Sequence, residues 1–138
     1  MLNGTFIGMS QPKRILIIDD EATTLDLLQR ILVSEGYEVV PATNGREGVQ
    51  QFQRQPCDLV VTDMVMPIKD GLQTILDLRL EDPDLPVVAI SGGGVIPKER
   101  YLTVAGYLEN VETLAKPFSV QALLDAVEKM LKLSGSSR

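Results

Sequence analysis

Short runs of apolar residues alternate along the chain with stretches in which apolar residues recur at helical spacing. The clearest runs are ILII (15–18), LVV (59–61) and PVVAI (86–90), while YEVV (37–40) and TLA (113–115) are weaker examples. Continuous apolar runs of this length are typical of strands that are buried on both faces of a parallel sheet. The pattern therefore predicts five strands.

The segments between these runs carry the signals of helices. Leu25, Leu28 and Leu32 recur on one helical face, and Gly36 follows them as a stop signal. Another helix is predicted over 98–108. Residues that favour helix N-termini precede the remaining segments, and we predict the following caps: Thr23 with Asp26 for the first helix, Asn44 with Glu47 for a helix over 45–54, Asp70 for a helix over 71–80, and Ser119 for the last helix.

Strands and helices thus alternate in the order (βα)5, which predicts an α/β fold with an open, doubly wound sheet. A length of 138 residues suits one domain. We predict that this domain occupies residues 13–133, between a flexible N-terminal extension (1–12) and a flexible C-terminal tail (134–138).

Composition excludes several kinds of chemistry. The chain has no histidine, so Ser-His-Asp catalysis, Cys-His catalysis and histidine-ligated zinc are ruled out. Cys57 is the only cysteine, so no disulfide can form within the chain, which is compatible with a reducing compartment. A net charge of −6 makes nucleic acid and anionic lipid poor partners. No apolar stretch approaches the roughly 18 residues of a membrane span.

Polar residues follow four of the predicted strands. Asp19 and Asp20 come after the first strand, Asp63 after the third, Ser91 after the fourth and Lys116 after the fifth. The carboxyl ends of parallel strands share one edge, so these side chains are expected to converge. Converging carboxylates repel one another, and a divalent cation with oxygen ligands, Mg²⁺, relieves the repulsion. Because an aspartate can also accept a phosphoryl group, the cluster favours phosphoryl transfer to Asp63.

Four motifs, ILIIDDE, VVTDMVMPIKDG, AISG and LAKPF, occur in this order at the ends of the predicted strands. Together they resemble the motifs of response-regulator receiver domains, the phosphoacceptor domains of two-component signalling, over about residues 13–133. The resemblance implies a CheY-like, flavodoxin-like fold whose five-stranded parallel sheet has the order 2-1-3-4-5. It also implies a cytoplasmic signalling domain rather than an enzyme in the usual sense.

The resemblance further implies that Asp63 accepts a phosphoryl group from a phosphohistidine of a sensor histidine kinase or histidine phosphotransfer protein. Ser91 and Lys116 would contact the phosphate. The implied ligands of Mg²⁺ are Asp20, Asp63, the main-chain carbonyl of Val65 and, through water, Asp19.

Two further expectations come from the same resemblance. Pro117 is expected to follow a cis peptide bond, which would hold the Lys116 loop in one shape. Phosphorylation is expected to reposition Ser91 and to change the binding of an unidentified protein partner. That partner would bind the face formed by the helix over 98–108, the last strand and the last helix.

The chain departs from the family pattern at three places. Thr113 stands where the family often has an aromatic switch residue. Val65 and Gly93 stand where side chains influence the access of water to the phosphate, so neither is expected to assist dephosphorylation. Glu109-Asn110 replaces a Gly-Ala that the family often has at the end of the helix predicted here over 98–108. Asn110 can adopt a left-handed cap there.

Two other functions compete with the phosphorylated switch. A phosphohydrolase of the haloacid-dehalogenase type needs two aspartates separated by one residue after the first strand, but Asp19 and Glu21 have that spacing here. An interaction module that is never phosphorylated would have no need of the intact set of acids, Ser91 and Lys116. We expect a receiver that works as a single domain, although the same residues also fit a receiver cut from a longer protein.

Overall fold

Parallel strands and helices alternate throughout the part of the chain that the computed structural model describes, which is residues 11–64, 66, 70–92 and 109–137, with side chains to 133. The predicted helix over 98–108 and residues 1–10 lie outside this part. The elements are β1 Arg14–Ile18, α1 Ala22–Ser34, β2 Glu38–Ala42, α2 Gly45–Arg54, β3 Leu59–Asp63, α3 Gly71–Glu81, β4 Val87–Gly92, β5 Val111–Lys116 and α4 Val120–Ser137.

All five strands pair in parallel, in the order β2-β1-β3-β4-β5. The predicted fold class and strand order are therefore confirmed. The two weaker strand predictions, over 37–40 and 113–115, correspond to the edge strands β2 and β5. Pro41 lies within β2, and proline is tolerated there because an edge strand lacks a neighbour on one side.

The sheet separates two apolar clusters. Alternate residues of β1 and β3, such as Ile17 and Val61, pack with α1 and α4 on one side. Their neighbours, such as Leu16 and Val60, pack with α2 and α3 on the other side. Because successive side chains of a strand point to opposite faces, both faces of the central strands are buried, as their continuous apolar runs predicted.

Three of the predicted N-caps are confirmed. Asn44 Oδ1 accepts a hydrogen bond from Glu47 N at 2.9 Å, and Asp70 Oδ1 accepts one from Gln73 N at 2.8 Å. Ser119 caps α4 in the same way, through the backbone N–H of residue 122. These short polar side chains satisfy backbone N–H groups that have no partner within the helix.

The predicted cap at Thr23 is wrong, because α1 begins at Ala22 and Glu21 occupies the cap position without a capping side-chain hydrogen bond. Asp19 supplies the reason. Its Oδ1 accepts a hydrogen bond from Glu21 N at 2.8 Å, which turns the chain into the helix earlier than the local sequence suggests. Gly36 ends the α1 segment with a left-handed φ of 96°, as predicted.

Arg79, near the end of α3, ties this helix to the residues that lead into β5. Its Nη2 donates to the carbonyls of Glu109 at 2.6 Å and Asn110 at 3.3 Å, and its Nε donates to the carbonyl of Leu85 at 2.8 Å. Asn110 has a left-handed φ of 61°, which confirms that it adopts this conformation at a position where the family often has a small residue.

The last helix continues beyond the predicted domain boundary. The backbone of α4 stays helical to Ser137, past the boundary at Leu133, because extending a helix that is already formed costs little. Within the described residues, no helix combines the length and the apolar character needed to cross a membrane.

Cys57 is expected to be chemically inert in the folded protein. Its side chain is buried, and this burial raises the pKa of the thiol to about 12, although backbone hydrogen bonds oppose the shift. The neutral thiol therefore stabilises the fold fully below its ordinary pKa of 9.0, and this contribution is lost as pH rises through about 12. A disulfide reagent at pH 8 should label Cys57 rapidly in denaturant and only slowly in buffer. Labelling of the native protein at the rate of free cysteine would contradict the burial.

Candidate functional site

Three strands deliver charged side chains to one edge of the sheet. Asp63 is the last residue of β3, Lys116 is the last residue of β5, and Asp19 and Asp20 directly follow β1. One carboxylate oxygen from each of Asp19, Asp20 and Asp63 lies within 4.8 Å of the others. The structure thus brings together the acids that the sequence placed at the strand ends.

Asp19 is the most enclosed member of this cluster, with no exposed surface. Its Oδ1 accepts the Glu21 N–H, whereas its buried Oδ2 has no hydrogen-bond partner and lies 3.7 Å from Lys116 Nζ. Burial raises the pKa of Asp19, and the charges of Asp63 and Asp20 add to this effect, while the Glu21 N–H and Lys116 oppose it. A buried carboxylate oxygen without a partner is costly, which indicates a position for a cationic ligand.

Lys116 lies among three carboxylates. Its Nζ is 3.7 Å from Asp19 Oδ2, 3.6 Å from Asp63 Oδ2 and 3.6 Å from Glu21 Oε1. Burial of the ammonium acts to lower its pKa, but the charges of these three acids outweigh burial and the pKa is raised. Lys116 is therefore a protonated, positively charged group beside Asp63. The peptide bond from Lys116 to Pro117 is cis, as predicted.

The backbone around Asp63 is held tightly on both sides. Met64 N donates to the carbonyl of Ile90 at 2.9 Å, which ties the residue after Asp63 to β4. On the other side, Gly71 at the start of α3 packs directly on this segment. A Cβ at Gly71 would lie 2.5 Å from the Asp63 carbonyl oxygen and 2.6 Å from Met64 Cα. Gly71 is thus needed for the close approach of α3 to this segment.

Ser91 lies on β4, which pairs with the strand that ends in Asp63. Its neighbour Ile90 pairs with Asp63, so alternation places the Ser91 side chain toward the opposite face of the sheet. The role of Ser91 in contacting phosphate stays a prediction. Val65 and Gly93 lie outside the described residues, and Thr113 is exposed on β5.

Glu21 is the member of the site that sequence reasoning missed. Its spacing from Asp19 bears on the dehalogenase hypothesis and does not predict a contact with Lys116, whereas its Oε1 lies as close to Lys116 Nζ as Asp63 Oδ2 does. The available signal was its position next to two candidate ligands at a helix start. The contact itself depends on how β1 and β5 are placed in the sheet.

The donor set fits Mg²⁺. Among the described residues, Lys116 Nζ lies within 3.7 Å of carboxylate oxygens of Asp19, Glu21 and Asp63, and Asp20 is clustered with Asp19 and Asp63, so acids outnumber bases at this part of the site. All the side-chain donors are oxygens, which magnesium prefers over softer metals. The partnerless Oδ2 of Asp19 is consistent with a cation at this place.

Comparison with known proteins identifies the family. The family model of the response regulator receiver domain matches residues 15–128 of this chain. The chain belongs to the response regulator receiver family. Its receiver domain is 31% identical over 121 residues to the chemotaxis protein CheY of Thermotoga maritima, a match that covers 87% of this chain and 98% of CheY. It is 35% identical over 124 residues to the transcriptional regulatory protein GlrR of Escherichia coli, covering 90% of this chain.

Solved receiver structures have the same fold. A response regulator receiver domain protein from Clostridium thermocellum superimposes with a TM-score of 0.79 at 28% identity, covering 91% of this chain and 99% of the other.

The receiver chain spans only 27% of GlrR and 54% of the regulator PrrA from Mycobacterium tuberculosis. It therefore covers between a quarter and about half of the length of these curated relatives.

Asp19→Asn is expected to raise the free energy of unfolding of the metal-free protein at neutral pH by on the order of 1 kcal/mol, a size common for single substitutions. An amide oxygen can still accept the Glu21 N–H, while the buried charge is removed. Because burial raises the pKa of Asp19, the ionised form is the costly one. The gain should therefore shrink as pH falls through the raised pKa toward the ordinary value of 3.8.

Urea unfolding of the metal-free protein over a pH series measures this effect. Asp26→Asn is the matched control, since it removes an exposed carboxylate that pairs with Arg30 on α1. A clearly less stable Asp19→Asn protein at neutral pH would contradict the picture of repelling carboxylates.

Gly71→Ala is expected to lower the free energy of unfolding by about 1–3 kcal/mol, as overpacking usually does. Helix propensity alone predicts the opposite sign, because alanine is favoured over glycine by up to about 1 kcal/mol. Gly48→Ala is a control, since its Cβ would meet the end of the Ile18 side chain, which can move, rather than backbone. Chemical denaturation measures both variants, and a stabilised Gly71→Ala protein would show that the close approach is not required.

Proposed function

We propose that this receiver domain accepts a phosphoryl group on Asp63 from a phosphohistidine of a sensor histidine kinase or a histidine phosphotransfer protein, and that phosphorylation switches its binding to a protein partner. The observation that supports this most directly is the placement of Asp63 Oδ2 at 3.6 Å from Lys116 Nζ, beside two more carboxylates, in a chain of the receiver family. A cytoplasmic location and action as a single domain are parts of the same proposal.

Asp63 is suited to be the nucleophile. It ends the central strand β3, its side chain is 7% exposed, and the backbone after it is held by β4 and α3. An Asp63 oxygen would attack the phosphorus, and the bond from phosphorus to the imidazole nitrogen would break. That nitrogen would keep the electron pair and take up a proton. Catalysis of this transfer depends on positioning and on positive charge near the phosphoryl oxygens.

Lys116 supplies part of that positive charge. Its ammonium stays protonated because the neighbouring acids raise its pKa against the effect of burial. Asp19, Asp20, Asp63 and the predicted main-chain carbonyl of Val65 would hold Mg²⁺. A bound magnesium ion would add positive charge against the phosphoryl oxygens and offset the repulsion between them and the carboxylates.

Ser91 would act as the switch within this proposal. Its hydroxyl lies on β4 one residue beyond the partner of Asp63, so contact with a phosphoryl oxygen requires it to reorient. Such a movement would be transmitted to β5, because Ser91 pairs with Ala115, next to Lys116. The proposed partner face comprises the predicted helix over 98–108, β5 and α4. Residue 113 on β5 is an exposed threonine. Because it is not aromatic, this readout does not use an aromatic side chain at that position.

The competing functions have less support. Receiver domains are signalling domains, and the family match indicates no family of hydrolases. The acids whose oxygens lie within 4.8 Å of one another are Asp19, Asp20 and Asp63, and the absence of Glu21 from this described cluster does not favour a pair of acids in the manner of a haloacid dehalogenase. The position two residues after Asp63 is Val65, an apolar residue that cannot orient water.

Incubation with acetyl phosphate and Mg²⁺ should add the mass of one phosphoryl group to the intact protein. The adduct should be absent from Asp63→Asn and strongly reduced by a chelator, because Asp63 is the acceptor and the metal is needed. Asp26→Asn, an exposed acid on α1, should be phosphorylated like the unaltered protein. Intact-mass spectrometry measures all four samples.

Two results would contradict the proposal. An equal adduct on Asp63→Asn would show that another group is the acceptor. Absence of both an adduct and phosphate release from the unaltered protein would favour the interaction module that is never phosphorylated.

A further inference from the structure

Glu21 is attached to the site through its backbone and faces it with its side chain. Its N–H is held by Asp19 Oδ1 at 2.8 Å, so Glu21 cannot move independently of the acidic cluster. The Thr24 hydroxyl, one turn along α1, donates to Glu21 Oε1 at 3.5 Å. The same oxygen lies 3.6 Å from Lys116 Nζ. Its carboxylate is therefore oriented toward Lys116 rather than left to point freely into solvent.

The acids around Lys116 differ in their exposure. The side chains of Asp19 and Asp63 are 0% and 7% exposed, whereas that of Glu21 is 62% exposed. Lys116 itself is 26% exposed. The ammonium thus lies between two buried carboxylates on its inner side and one carboxylate at the outer rim of the site.

Glu21 and a phosphoryl group on Asp63 would require the same cation. In the proposed function, Lys116 contacts an oxygen of the phosphoryl group, which must enter from the open side of the site. Glu21 carries a negative charge on that side and is already paired with Lys116. The ion pair with Lys116 and the repulsion of an incoming phosphoryl donor by Glu21 both oppose phosphorylation of Asp63.

We propose that Glu21 is a positioning residue that holds Lys116 toward the outer rim of the site and competes with the phosphoryl group on Asp63 for its ammonium. The competition slows phosphorylation and increases the donor concentration that it requires. This inference rests on the proposed function. A role of Glu21 in stabilising the start of α1, where acids favour the helix dipole, predicts a change in stability but none in phosphorylation rate.

Glu21→Gln tests the proposal, because glutamine keeps the length of the side chain and removes only its charge. Asp26→Asn is a matched control on the same helix. Its carboxylate is 61% exposed, close to the 62% of Glu21, and it pairs with Arg30 at 2.9 Å away from the site. Glu21→Asp keeps the charge, so its rate of phosphorylation should lie nearer that of the unaltered protein.

The first measurement is the nitrogen resonance of the Lys116 ammonium in the unphosphorylated, metal-free protein, assigned with Lys116→Arg. Glu21→Gln should shift this resonance, while Asp26→Asn should leave it unchanged. This readout reports the ion pair independently of any phosphoryl transfer. An unshifted resonance in Glu21→Gln would overturn the contact and, with it, the inference.

The second measurement is the initial rate of phosphorylation by acetyl phosphate with Mg²⁺, at several donor concentrations. In this reaction an Asp63 oxygen attacks phosphorus, the bond from phosphorus to the acetyl oxygen breaks with its electron pair, and acetate leaves. Glu21→Gln should react faster at low donor concentration by about threefold, the factor typical of a partly exposed ion pair. Glu21→Asp should lie nearer the unaltered protein, and Asp26→Asn should equal it.

The outcomes separate this inference from the proposed function. If the unaltered protein is phosphorylated on Asp63 and Glu21→Gln reacts at the same rate as Asp26→Asn, the competition is wrong and the proposed function stands. If no variant is phosphorylated and no phosphate is released, the proposed function fails and the competition fails with it. A faster Glu21→Gln together with a shifted Lys116 resonance supports both.

Discussion

The mutual repulsion of carboxylates at the carboxyl edge of the sheet is the constraint on which the surrounding structure depends. Asp19 and Asp63 are buried with Asp20 at their side, and burial strengthens the repulsion because the surroundings screen charge poorly. Lys116 is the one ammonium recorded beside them in the described part of the chain, and it is shared among three acids. Among the described residues, acids therefore outnumber bases at the site, and a cation can relieve their repulsion.

The fold withstands this repulsion because the acids are attached to strands that are buried on both faces. The central strands β1 and β3 are covered by helices on both faces, and their registers fix where each strand ends. Moving Asp63 away from the cluster would disturb its pairing with Ile90 and the close contact of its backbone with Gly71. The apolar core thereby holds like charges together in an arrangement that they would not adopt in solution.

Much of this protein could be predicted from its sequence alone. Apolar runs identified all five strands, and the clearest runs were those of β1, β3 and β4, because a strand buried on both faces needs apolar residues at every position. Asn44 and Asp70 identified helix starts, and Asn110 was identified as a residue able to adopt a left-handed conformation. These features are local, since each depends on the conformation or burial of a few consecutive residues. The order of polar residues at the strand ends likewise predicted that Asp19, Asp20, Asp63 and Lys116 would lie close together.

Tertiary structure alone decided the contacts between distant segments. Glu21 reaches Lys116 only because β1 and β5 end at the same edge of the sheet, although most of the chain separates the two residues. The early start of α1 follows from a hydrogen bond to Asp19, and the close packing of Gly71 follows from where α3 lies against β3. A sequence pattern specifies which residues are buried and which conformations they prefer, whereas the distances between side chains depend on strand register and helix packing, which the whole chain determines together.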